Sequence, residues 1–257
     1  MLGIERRVCP LRGSTVILDS SRAQPPLPWP KTTIQAPRPP LQSIYEGEGI
    51  RVVANPRPLL RIEAPESAAG LGANEVILHA SATLESVLLA ARTRALDLAG
   101  DPRLQNTLWV WERGHGRLEA AHSQLFTSPE PWPGRAWDWD ALPGEIDRAI
   151  SQGRVIDGVV LPWAPQVPFE AWVLGQDLVA LAHLTQAWIE RLDRALGVPL
   201  TLSWQPLASV GLLSIQPRTR PASGLCLAGG VAHHGVPSEV AVELLLQAER
   251  QPEPELP

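Results

Sequence analysis

At residues 122–124 a histidine, a small hydroxyl residue and an amide stand in a row, within GRLEAAHSQLF (116–126). A neutral imidazole is a good nucleophile, and it leaves well while its other nitrogen keeps a proton. In a β-strand alternate side chains share a face. His122 and Gln124 would then meet one ligand together, with Ser123 turned to the other side. The triplet therefore raises the question of phosphorus chemistry. Taken alone, a single histidine beside Ala120 and Ala121 more often has a structural role.

Composition narrows the ligand. The 257-residue chain carries 22 basic and 27 acidic side chains, a net charge of −5, which excludes a nonspecific nucleic-acid binder. A small phosphorylated ligand needs only two or three donors. Lys31 is the one lysine, so the cationic side chains are almost all arginine, which presents a planar fork to phosphate. Cys9 and Cys226 lie far apart and outside any C-x-x-C pair, so neither a cysteine zinc site nor a disulfide is expected. The opening MLGIERRVCPLRG has no apolar stretch of signal-peptide length, and no run reaches the ~18 apolar residues of a membrane span. The expectation is a soluble cytoplasmic protein.

These residues must be held by a framework that periodicity outlines. Strands are expected at 14–21, 49–56, 74–80, 106–114 and 120–129, with a helix over 83–100 closed by Gly100. The proline-dense stretch 22–43 reads as an extended loop. Strands are then expected at 153–163, 169–176, 200–206 and 210–218, with helices over 184–197, ending at Gly197, and 237–250. The acidic, tryptophan-rich stretch 129–146 joins two matching halves, 1–135 and 136–257. The repeat predicts an α+β fold with a mostly antiparallel sheet and flanking helices.

Six stretches, in order, resemble galactose-1-phosphate uridylyltransferases. They are RRVCPLRGSTVILDSSRAQPP (6–26), IRVVANPRPLL (50–60), NEVILHASATLESV (74–87), LEAAHSQLF (118–126), PWAPQVPFEAWVL (162–174) and LAGGVAHHGVPSEVAVELL (227–245). The resemblance implies a tandem pair of histidine-triad-like halves. It also implies a double displacement. A histidine attacks the α-phosphorus of a nucleotide sugar or related nucleotide, and a sugar phosphate then discharges the nucleotidyl-histidine. By the same resemblance His122 is the nucleophile and Gln124 the amide that bonds the phosphoryl oxygen. Arg22, Asn55 and Ser123 join the substrate-binding set, as do Arg113 and Arg117 in place of a neutral pair. A homodimer without a cofactor is implied.

The departures bear on the same residues. Ala120 stands where zinc-containing members have a histidine ligand, the proline-rich loop has no cysteine, and the helix-entry position falls on Thr83, so no metal is expected. The strand 212–221 lacks the histidines of its counterparts. His79 is expected to be structural, His115 exposed, and His233 and His234 part of a glycine-rich turn. Two alternatives remain open: a degenerate nucleotide-binding or partner-binding relative, and a nucleotide hydrolase.

Overall fold

The computed structural model describes residues 4–8, 15–19, 42–56, 58, 60–63, 71–114, 121–129, 138–208, 211–218, 232–234 and 238–250. In the first half β3 (Ser43–Gly47), β4 (Ile50–Ala54) and β5 (Ala73–Leu78) lead into α1 (Leu84–Leu98), then β6 (Asn106–Arg113) and β7 (His122–Ser128). The second half repeats this with β8 (Val155–Ile156), β9 (Val159–Val160), β10 (Ala171–Leu174), α3 (Leu178–Leu196), β11 (Leu200–Trp204) and β12 (Leu212–Pro217). Between them lies α2 (Leu142–Ser151), entered through a single 3₁₀ turn, Trp139–Ala141. Helix α4 (Ser238–Arg250) follows.

One antiparallel sheet of ten strands runs β3-β4-β5-β7-β6-β11-β12-β10-β9-β8. That order is symmetric about the β6–β11 seam. Val110 pairs with Ser203 there, Gln124 pairs with Val110, and Ser214 pairs with Ser203. The local two-fold thus places Leu212 at the equivalent of His122, Ser214 at that of Gln124, and Glu170 at that of Asn74. A separate group of three strands holds β1 (Ile4–Val8), β2 (Thr15–Asp19) and β13 (Ala232–His234), with β13 parallel to β2. His233 and His234 therefore belong to a strand rather than to a turn.

Helices α1, α3 and α4 cover one face. Ile77, Leu125, Trp109, Leu202, Leu213 and Val173 alternate toward that side and meet Leu88 and Ala91 of α1, Ile189 and Leu192 of α3, and Leu245 of α4. The α+β class and the tandem halves stand as expected. Several boundaries differ, each for a local reason. The strand expected at 153–163 is a hairpin, because Asp157 and Gly158 both take positive φ and fold it back on itself. Helix α3 starts six residues before the expected 184, where the Asp177 carboxylate accepts from the amides of Val179 and Ala180. Its end at Gly197, left-handed at φ 58°, is as read from sequence. Helix α1 ends instead on Ala99, one residue before Gly100.

Helix α2 was not anticipated, and it breaks the symmetry. Leu142 and Ala149 pack onto Val160, Trp172 and Leu212 on the face opposite α1 and α3. A fully buried ion pair fastens it: Arg154 Nη1 lies 3.3 Å from Glu145 Oε1, and the same nitrogen donates to the Leu161 carbonyl at 2.5 Å. Glu145 also accepts from the Trp163 amide at 2.5 Å. Removing one partner of such a pair strands a buried charge. Arg154→Met is expected to cost about 3 kcal/mol of stability, read as a fall in the urea midpoint; an unchanged midpoint would contradict the anchoring role.

Candidate active site

The outer face of the first half carries His122 and Gln124 where its second-half equivalent carries Leu212 and Ser214. Strand β7 alternates as the triplet required: His122, Gln124 and Phe126 are half-buried, while Ser123, Leu125 and Thr127 are buried. Ser123 is therefore a correction. Its hydroxyl accepts from Trp109 Nε1 at 2.9 Å on the helix side, where no substrate shared with His122 reaches it.

Gln124 is set by its neighbours. Asn55 Nδ2 donates to Asn74 Oδ1 at 2.6 Å, and Asn74 Nδ2 donates onward to Gln124 Oε1 at 3.4 Å. With its oxygen so engaged, the Gln124 amide offers its nitrogen as a donor. The Asn55 amide also donates to the Asn74 carbonyl at 3.0 Å, which extends the β4–β5 ladder by one residue. Asn55 thus reaches the site through Asn74, a residue that sequence reasoning did not single out. Its signal was available: Asn74, Val76 and Leu78 alternate onto the face that β7 turns outward, opposite Phe126, Gln124 and His122. Arg51 lies on the same face, opposite Leu78, with its Nε on Ser43 Oγ at 2.6 Å.

Arg113 is a second correction. It projects from the helix face of β6 and is held by Asp193 of α3, with both nitrogen–oxygen contacts at 2.7 Å. A guanidinium forked onto a carboxylate on the far side of the sheet does not serve a phosphate beside His122. Arg22, Arg117 and His115 lie outside the described residues.

The strands part beside His122. β6 and β7 stay paired up to Val110 and Gln124; beyond that β7 runs on paired to β5, and β6 runs on paired to β11. Beneath the start of β7, on the helix side, His79 meets Trp111 edge-on with ring centres 5.0 Å apart. The His79 amide holds the Ala121 carbonyl at 3.0 Å, which anchors the residue before His122.

Thr83, at the helix-entry position, caps α1: its oxygen accepts from the Ser86 amide at 3.2 Å and lies 3.0 Å from the Ser86 hydroxyl. Among the described residues no three His, Cys, Asp or Glu side chains converge as metal ligands would. No described helix is long and apolar enough to cross a membrane.

Solved structures share this architecture across nearly the whole chain. An ADP-glucose phosphorylase from Arabidopsis thaliana, solved with ADP-glucose bound, superposes with a TM-score of 0.71 at 19% identity, over 95% of this chain and 98% of that one. The fold is that of GalT-like proteins. An Arabidopsis thaliana GalT-like protein matches at a TM-score of 0.70 and 18% identity, over 95% and 98% of the two chains. A uridylyltransferase matches at 0.60 and 16%, with the same coverage. No family model matches the sequence, and no curated protein matches it either.

His79 makes this region sensitive to acid. Burial, outweighing its backbone hydrogen bond, pushes the imidazole down to about 4, and the charge of His122 adds to the effect. A histidine whose folded pKa lies below its unfolded value gives up stability as pH falls, because the unfolded chain binds the proton more readily. That stability is complete above about pH 6.5 and is lost on descent toward pH 4, on the order of 3 kcal/mol in all. Urea midpoints at pH 7.5 and 5 are expected to fall with pH in the wild type and to lose most of that slope in His79→Gln.

Proposed function

We propose that the protein is a nucleotidyltransferase working through a nucleotidyl-His122 intermediate, with a nucleotide sugar as donor and a sugar phosphate as acceptor. The observation that carries this reading is the outer face of β7. His122 and Gln124 project there together, and the Asn55–Asn74 chain turns the Gln124 nitrogen outward as a donor. The GalT-like fold supports the same reading.

In the first step a ring nitrogen of His122 bonds to the α-phosphorus. The anhydride P–O bond breaks, and its electron pair leaves on the sugar phosphate. Gln124 donates to a non-bridging oxygen, where negative charge grows as the phosphorus becomes five-coordinate. In the second step an acceptor phosphate oxygen attacks, the N–P bond breaks, and its electron pair returns to His122. The parted strands leave room for the phosphorus beside the ring, and the anchored Ala121 carbonyl holds the backbone there while the bond forms and breaks.

Intact mass after alkaline quench tests the covalent step, since a phosphoramidate survives alkali and not acid. After incubation with ADP-glucose, UDP-glucose or a dinucleoside polyphosphate, the wild type is expected to gain one nucleotidyl group, a nucleoside monophosphate less water. His122→Ala is expected to gain none, and the added mass names the base. Gln124→Ala should form the adduct about 100-fold more slowly. Absence of any adduct with all three donors would leave the nucleotide-binding reading, and adduct discharged by water alone would favour hydrolysis.

A further inference from the structure

The outer face does not end at His122. Glu112 is the next outward residue of β6 after Val110, on the far lip of the parted strands. Glu112 pairs with Thr201 of β11, and Thr201 pairs with Gln216 of β12. Gln216 Nε2 in turn donates to the buried Glu170 carboxylate at 3.2 Å. The second half thus extends the row that begins at Arg51, Leu78 and His122. Arg218, two residues beyond Gln216, has its amide on the Pro199 carbonyl at 2.7 Å and reaches back to Glu112.

This arginine is incompletely satisfied. Among the described residues its side chain meets Glu112 alone, Nη2 to Oε1 at 3.3 Å, a single long contact rather than a fork. Its Nε is shielded from solvent and has no partner among the described residues, and the same is true of Thr201 Oγ1. Buried polar atoms are normally paired, so two orphans on neighbouring strands mark a place that a ligand completes. The missing ligand must offer acceptors to a guanidinium and bond a hydroxyl as well, which describes a phosphate oxygen pair. A phosphate that took the guanidinium from Glu112 would satisfy Nε and Thr201 together.

The geometry points to Arg218 and Thr201 as an anion subsite for the phosphate of the sugar phosphate, both as it leaves and as the acceptor enters. Glu112 is the next outward residue of β6 after Val110, so Glu112 and the guanidinium on it share His122's face, across the interval where β6 and β7 part. A phosphate one bridging oxygen away from the α-phosphorus falls in that interval. This assignment rests on the nucleotidyl-transfer reading for its role. It makes the second half, whose own nucleophile position is Leu212, the supplier of the acceptor side. Glu112 acts here as a resting partner that competes with the phosphate for Arg218.

The competition gives a test with opposite signs. Binding of glucose 1-phosphate and of inorganic phosphate is measured by calorimetry on the wild type, Arg218→Gln, Thr201→Val and Glu112→Gln. Arg218→Gln is expected to weaken binding about tenfold or more, and Thr201→Val by a few-fold. Glu112→Gln is expected to tighten it several-fold, a gain that misfolding does not produce. The tighter of the two anions distinguishes a sugar phosphate from free phosphate as co-substrate. Absence of binding by the wild type at 10 mM (roughly the limit of a specific site), an unaffected Arg218→Gln, or a weaker Glu112→Gln would each overturn the subsite. Arg218-dependent binding without any His122 adduct would instead overturn the transferase reading and leave the subsite standing.

Discussion

The hydrogen bond from Trp109 Nε1 to Ser123 Oγ, 2.9 Å long with both residues buried, fixes which face of β7 meets the helices. Side chains alternate along a strand, so a slip of one residue would send His122 and Gln124 into the core and turn Ser123 out. Leu125, fully buried against the helices, enforces the same register. The site thus depends on a polar contact that faces away from it. Below His122, the His79–Trp111 contact and the bond to the Ala121 carbonyl hold the strand where its ladder with β6 has opened.

The two-fold of the sheet shows how one half came to differ physically from the other. At the positions of His122, Gln124 and Asn74 the second half has Leu212, Ser214 and Glu170. Leu212 is buried with Trp172 and Val160 under α2, so the face that carries the candidate site in one half is a second small core in the other. Glu170, buried with these groups, is satisfied by the Gln166 amide at 2.6 Å and by the Ser214, Gln216 and Trp172 side chains. A carboxylate with that many donors stabilises the 162–170 segment against β12.

Much of this was legible in the sequence, wherever a local signal was strong. The alternation of His122, Ser123 and Gln124 predicted their faces, and Gly197 marked the end of α3. The Asp157–Gly158 turn carries a hairpin signal within an apolar run whose composition predicts one strand. Helix α2 was lost because its proline, glycine and charges resembled a linker. What makes it a helix is burial against Trp172 and Leu212, a tertiary fact absent from its own residues.

The arginines show where sequence proximity misleads. Arg113 stands near His122 in the chain, yet it lies an odd step of three positions along β6 from Val110, and it belongs to the helix face with Asp193. Arg218 lies almost a hundred residues away, yet the β6-β11-β12 registers bring it to the outer face beside Glu112. Parity decides against the first and topology recruits the second. A short motif is enough to propose the nucleophile side of such a site, because one strand holds it. The acceptor side proposed here would be assembled across the seam between halves, and only the sheet order reveals which cation lies there.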